Sequence, residues 1–195
     1  MFGDDRAVEL ITGSADTQKC VVPMRRFPWR WMLVGILLLG AVAIWYVDRR
    51  APEAMTRRGR AMVKSKDYPR AIDSFNRAIE IDPEYAPAYH GRGMAHGNQG
   101  EWALAVADFS EAIRLDPADA RFRYDRGVAY SRTDDLDRAL MDFGEAIRLN
   151  PDYARAYQAR GWVHDTKGNV AQAQADRQKA KELDPALGKS DDGNP

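Results

Sequence analysis

One period, 34 residues long, governs most of this chain. Glycine recurs at Gly59, Gly93, Gly127 and Gly161. Alanine recurs at Ala71, Ala105, Ala139 and Ala173, and again at Ala78, Ala112, Ala146 and Ala180. Proline closes each copy at Pro83, Pro117, Pro151 and Pro185, and phenylalanine keeps the same register at Phe75, Phe109 and Phe143. No insertion or deletion breaks the four copies. A block this short cannot shield its own apolar face, so the copies must stack on one another.

Inside each copy the spacing is helical. "RAIDSFNRAIEI" sets Ala71, Phe75, Ala78 and Ile79 on one stripe at steps of three and four, and "AYHGRGMAHG" does the same with Tyr89, Gly93 and His96. Each copy therefore reads as two short helices joined by a tight turn such as "NQGE" or "RTDD". Asp82, Asp116, Asn150 and Asp184 each precede the proline, which pushes them out of helical geometry and ends the second helix.

The pattern resembles the tetratricopeptide repeat family over roughly residues 52–185, with the glycine, both alanines, the phenylalanine and the proline in their slots. The resemblance implies an all-α fold, a right-handed α-solenoid of four helix–turn–helix repeats at 52–85, 86–119, 120–153 and 154–185. Two departures stand out. The slot before the glycine, usually large and apolar, holds Arg58, Arg92, Arg126 and Arg160. The aromatic slot of the last copy holds Arg177.

Asp108, Asp142 and Asp176 recur one residue before the aromatic slot, so Arg92, Arg126 and Arg160 are expected to pair with them and tie the helices together rather than present cations to an acidic ligand. The last helix, "AQAQADRQKAKEL", is expected to be a polar cap through Gln172, Gln174, Arg177, Gln178 and Lys181, and the tail 186–195 to be disordered.

A second feature lies ahead of the repeats. "WMLVGILLLGAVAIWYV", residues 31–47, is unbroken and apolar. As a helix it would span about 26 Å, against a hydrocarbon core of ~30 Å. Trp29 and Trp31 flank one end, Trp45 and Tyr46 the other, with arginines outside both, as in a membrane helix. The expectation is a transmembrane helix at 31–47, a polar leader at 1–30 and a short basic linker at 48–51. Cleavage after "AVA" at Ala43 is the alternative, and would release a soluble exported repeat protein. Four basic residues precede the span (Lys19, Arg25, Arg26, Arg30) and seven follow (Arg49, Arg50, Arg57, Arg58, Arg60, Lys64, Lys66). That count favours a cytoplasmic repeat domain. A charged leader that would then have to cross favours the opposite. We expect a single-pass protein of the bacterial inner membrane with its repeats extracytoplasmic.

Catalytic chemistry is not legible. Lys plus Arg and Asp plus Glu each number 29, so no diffuse positive charge draws nucleic acid. The lone Cys20 allows no internal disulfide or cysteine metal site. "LGKS" lacks the glycine of a phosphate loop, since Leu183 stands there. His96 and His164 share a slot with Met62 and Tyr130, which marks a packing position. No enzyme, cofactor, metal or small-molecule substrate is expected.

The expected function is a membrane-tethered scaffold that holds a peptide or partner helix on its concave face. A fixed assembly or pilot subunit of a membrane complex is the alternative. In the family the first helix of each repeat lines that face. The corresponding positions are His90, Met94 and Asn98; Arg121, Tyr124, Val128 and Arg132; and Arg155, Gln158 and Trp162. Tyr124 and Trp162 suit interface anchors, or else pack against a neighbouring helix. At the places where chaperone-tail receptors of the family hold a carboxylate stand Thr56, Arg60, Gly91, Arg121 and Asp125, and the last would repel one. The first copy is basic, which attracts anionic headgroups.

Overall fold

A computed structural model of the chain describes residues 51–187. The leader, the apolar run 31–47 with its cleavage alternative, most of the linker and the tail from 188 lie outside the described residues. Among those described, no helix is long and apolar enough to cross a membrane.

The described chain is all helix and turn. A helix over 51–64 (α1) is followed by α2 (Tyr68–Ile81), α3 (Ala86–Asn98), α4 (Trp102–Leu115), α5 (Ala120–Arg132), α6 (Leu136–Leu149), α7 (Ala154–Thr166) and α8 (Val170–Leu183). Successive helices pack in pairs and each pair stacks on the next, giving a tetratricopeptide-like solenoid.

The turns carry the period in their hydrogen bonds. Lys66, Gly100, Asp134 and Gly168 occupy one slot and all have left-handed backbone, with φ of 62°, 80°, 63° and 79°. In each case the next residue's N–H reaches back five residues to a helix carbonyl: Asp67 to Met62, Glu101 to His96, Asp135 to Tyr130, Asn169 to His164. This closes the orphan carbonyls at the helix end. The Asp/Asn–Pro junctions do more than stop a helix. Asp82, Asp116, Asn150 and Asp184 each accept, through Oδ1, the N–H two residues on, at 3.0 to 3.2 Å. That local ring turns the chain into the next repeat.

Alanine and phenylalanine build the core. Phe75 and Phe143 are fully buried and Phe109 nearly so, among the alanines of the two periodic slots. The ring of Phe75 fits because both helices facing it lack a side chain at the contact. A Cβ on Gly59 would lie 2.7 Å from its Cε1, and one on Gly91, in the next repeat, 2.3 Å. The first half of this cradle recurs, Gly93 over Phe109 and Gly127 over Phe143, whereas Asp125 and Ala159 stand in the slot of Gly91. Full burial of such a ring is worth roughly 1.5–3 kcal/mol.

The arginine ladder is a set of forked ion pairs. Arg92 donates through Nε and Nη2 to Asp108 at 2.9 and 2.6 Å, Arg126 to Asp142 at 2.7 and 2.8 Å, and Arg160 to Asp176 at 2.8 and 2.7 Å. Each fork joins the two helices of one repeat. Nη1 then reaches the repeat before: from Arg92 to Asn76 at 2.7 Å and from Arg126 to the Ser110 hydroxyl at 3.0 Å. The aspartates are buried while the arginine heads keep an edge in solvent. Hydrogen bonding to the carboxylates holds all three guanidiniums above their ordinary range.

The last repeat departs as its sequence does. Gln172, Gln174, Arg177, Gln178 and Lys181 are exposed on α8, while Ala173, Asp176 and Ala180 are buried beneath it. Arg177, in the aromatic slot, pairs with Asp165 of α7. At the start of the tail, the Leu187 N–H bonds to the Asp184 carbonyl in a turn.

Removing either end of a fork should be unequal in effect. Arg126→Met strands the buried Asp142 carboxylate and should cost about 2–4 kcal/mol, whereas Asp142→Ala leaves a guanidinium that can swing into water and should cost about 1–2 kcal/mol. Urea unfolding followed by circular dichroism measures both; equal losses would show the carboxylate to be solvated.

Candidate functional site

The first helices, α3, α5 and α7, lie side by side and carry the expected concave positions. Between α3 and α5 they enclose a pocket of about 250 Å³ lined by Met94, Gly97, Asn98, Trp102, Phe109, Asp125, Val128 and Arg132. Four expected residues meet there: Met94, Asn98, Val128 and Arg132. Met94 is 39% exposed despite its size. Asn98 folds back, its amide donating to the Met94 carbonyl at 2.7 Å. The Arg132 guanidinium lies over the Trp102 ring, 6.0 Å from its centroid.

Trp102 and Asp125 were not among the expected groove residues. Trp102 begins a second helix, which the family pattern assigns to the outer layer. It reaches inward because Gly97 leaves room: a Cβ there would stand 3.1 Å from the indole. The wide aromatic one residue after the "NQGE" turn, two steps past a glycine-rich stretch, is the sequence signal. Asp125 was legible only as a charge hostile to a carboxylate.

His90 departs from its expected exposure. It is 7% exposed, and its Nε2 lies 2.6 Å from Asp125 Oδ2 in the next repeat. Its ring sits against Phe122 at 4.8 Å and Phe109 at 5.7 Å between centroids. Helix α3 offers a polar ring to two aromatics, and a carboxylate 35 residues on completes its hydrogen bond. His90 therefore orients Asp125 and belongs beneath the surface, not on it.

The stretch between α5 and α7 is closed by aromatic packing. Tyr124 lies tilted against Phe143 and Tyr153, at 5.8 and 5.0 Å between centroids. Trp162 and Val128 pack on the Phe143 and Val163 cluster and are half-buried. Of the two readings open for Tyr124 and Trp162, both rings pack against neighbouring helices and keep only an edge outward. Arg121 and Arg155 are exposed and Gln158 half-exposed. Arg121 forks onto Asp119 with Nε at 2.9 Å, and Asp119 also caps α5 by accepting the Arg121 N–H at 2.9 Å. Burial works against charge on Asp119, yet these bonds from Arg121 hold its carboxyl below the ordinary range.

Burial pushes the phenols of Tyr85, Tyr124 and Tyr153 above the ordinary 10.0, and nearby carboxylates, Asp125 for the latter two, add to the rise. A phenol with its folded pKa above its unfolded one stabilises the fold below pH ~10, and that stabilisation is lost as pH rises through the folded value. Absorbance titration at 295 nm should therefore show these phenols ionising late, together with loss of helical dichroism above pH ~10. Ionisation of all eight tyrosines in one step near pH 10, with the helices intact, would contradict the packing.

Known families and structures agree with this geometry. A family model described as "TPR repeat" matches residues 59–100, and two described as "Tetratricopeptide repeat" match 90–147 and 154–187. No curated protein sequence matches the chain. Among solved structures, a crystal structure of MamA is similar at 25% identity and a TM-score of 0.65, over 75% of this chain and 86% of that one. MamA from Desulfovibrio magneticus RS-1, residues 41 to the end, is similar at 26% identity and 0.63, over 72% and 77%. The first repeat domain of Spaghetti (RPAP3), solved with the HSP90 peptide SRMEEVD, shares the fold at 20% identity and 0.59, over 61% and 94%. With its repeats matched from 59 to 147 and from 154 to 187, the chain belongs to the tetratricopeptide repeat family.

Proposed function

We propose that this protein is a membrane-tethered adaptor that holds a partner protein on the concave face of its repeats and changes nothing in it chemically. The observation that carries the reading is the pocket between α3 and α5. Met94, Val128 and Trp102 give it an apolar floor, and Asp125 and Arg132 give it one charge of each sign. A partner segment with an apolar anchor between polar neighbours fits such a wall. The HSP90 peptide bound by the RPAP3 domain supports the use of this fold for holding a peptide. The acidic Asp125 favours a different ending from the acidic one in that peptide.

Tethering rests on the apolar run 31–47 and its aromatic and arginine flanks. It puts the adaptor at the bacterial inner membrane. The charged leader, easier to leave inside than to export, sets the repeats on the extracytoplasmic side.

A photo-reactive amino acid at Met94 should give one discrete protein adduct in intact cells, and the same probe at Met141, 74% exposed on α6, should not. Arg132→Glu, an exposed change in the pocket wall, should abolish the adduct while leaving the thermal midpoint within a few degrees. The adduct should stay in the membrane pellet after carbonate extraction. Identical adducts from both probes would overturn the groove, and release of a shorter soluble chain would overturn the tether in favour of cleavage at Ala43.

A further inference from the structure

The ladder arginine finds an aspartate in the second, third and fourth repeats and not in the first. Arg58 fills the ladder slot of the first repeat, but Ser74 stands where Asp108, Asp142 and Asp176 stand in the others. Ser74 is buried, 6% exposed, and its hydroxyl donates to the Arg70 carbonyl at 2.9 Å. No carboxylate among the described residues pairs with Arg58, and none pairs with Arg77. A side chain shorter and uncharged thus replaces the acceptor of the fork. What remains is an open cavity of about 200 Å³ lined by Arg58, Arg70, Arg77, Met62, Ser74 and Asp73.

Three guanidiniums line this cavity against one carboxylate, that of Asp73. Arg70 is also 3.4 Å from Asp67, a loose contact that keeps its head largely in solvent. In the other repeats the same slots hold a carboxylate gripped at 2.6 to 2.9 Å by two nitrogens of one arginine. The geometry that accepts two oxygens is therefore inherent in the repeat, and here the oxygens are missing from the chain.

We propose that this cavity binds an oxyanion of the phosphate class, which supplies the two oxygens that Asp108, Asp142 and Asp176 supply elsewhere. A planar guanidinium matches two phosphate oxygens as it matches a carboxylate, and the flanking arginines neutralise the second charge. The oxyanion is either free phosphate or the headgroup of an anionic lipid. The second source is reasonable because Arg58 follows the apolar run, which ends at Val47, by only eleven residues.

Ser74→Asp tests the site by rebuilding the fork. The full chain is kept in neutral detergent and titrated with inorganic phosphate against chloride at equal ionic strength, by calorimetry and thermal unfolding. The wild type should give saturable heat and a rising midpoint. Ser74→Asp should start from a higher midpoint and bind phosphate at least about tenfold more weakly. Ser74→Ala, which keeps the room and the arginines, should bind as the wild type does. Should Ser74→Asp fail to fold, Arg58→Gln serves in its place and should lose the saturable heat. Short-chain phosphatidate is then compared with short-chain phosphatidylcholine. Binding of phosphatidate tighter than phosphate assigns the site to a lipid headgroup, and equal or weaker binding assigns it to the free ion. No saturable heat from phosphate or phosphatidate, or heat unchanged in Ser74→Asp and Arg58→Gln, would overturn the proposal.

Discussion

A carboxylate buried between two helices is the constraint around which each later repeat is arranged. Asp108, Asp142 and Asp176 are only 5 to 6% exposed. An unpaired charge there would cost several kcal/mol, so the fold is stable only when a guanidinium arrives with both forks aligned. That fixes how the first helix of a repeat lies on the second. It also explains why arginine directly precedes the periodic glycine. The glycine lets the helices close on the phenylalanine, and the arginine one residue earlier is then at the right height to reach the aspartate. Large apolar residues, usual before this glycine, would fill the interface without specifying its register.

The third guanidinium nitrogen links one repeat to the one before, through Asn76 and Ser110. At the corresponding place facing Arg160 stands Gly144, which offers no acceptor side chain; a Cβ there would lie 3.9 Å from Arg160 Nη1. The link thus weakens toward the C-terminal end, where the polar cap begins. Between α3 and α5, where it is intact, the concave face keeps an open pocket. Between α5 and α7, aromatic rings fill the space instead. Rigidity from the ladder and closure by aromatics are two ways of fixing the same helix spacing, and only the first leaves room for a ligand.

Much of the fold could be read from the chain because its determinants are local or strictly periodic. Helix boundaries follow from glycine, proline and Asp/Asn at fixed intervals, and the ladder from arginine and aspartate sixteen residues apart. The polar α8 was visible in Gln172, Gln174 and Gln178. The groove was legible only in part. Met94, Asn98, Val128 and Arg132 converge because they share the register of the first helices. His90 shares that register as well, yet it is buried, since its fate depends on Asp125, in a different slot of the next repeat. Trp102 enters the groove from a second helix through the space that Gly97 leaves. Both depend on pairing between unlike slots, which a period does not reveal.

The two ends of the array differ for a physical reason. The last described repeat keeps its fork, Arg160 to Asp176, and carries Arg177 instead of a phenylalanine, with no further repeat among the described residues to cover an aromatic ring. The first keeps its phenylalanine, because α3 does cover Phe75, and gives up its aspartate. Among the described residues no earlier repeat faces Arg58, so its fork is the one least needed to set spacing between the described repeats. Each end of the described array lacks the element that a further neighbour would use. At the C-terminal end the loss leaves a surface suited to water. At the N-terminal end it leaves unmatched positive charge in a cavity, and unmatched charge on a stacked, rigid scaffold is where a ligand gains most by completing the pattern.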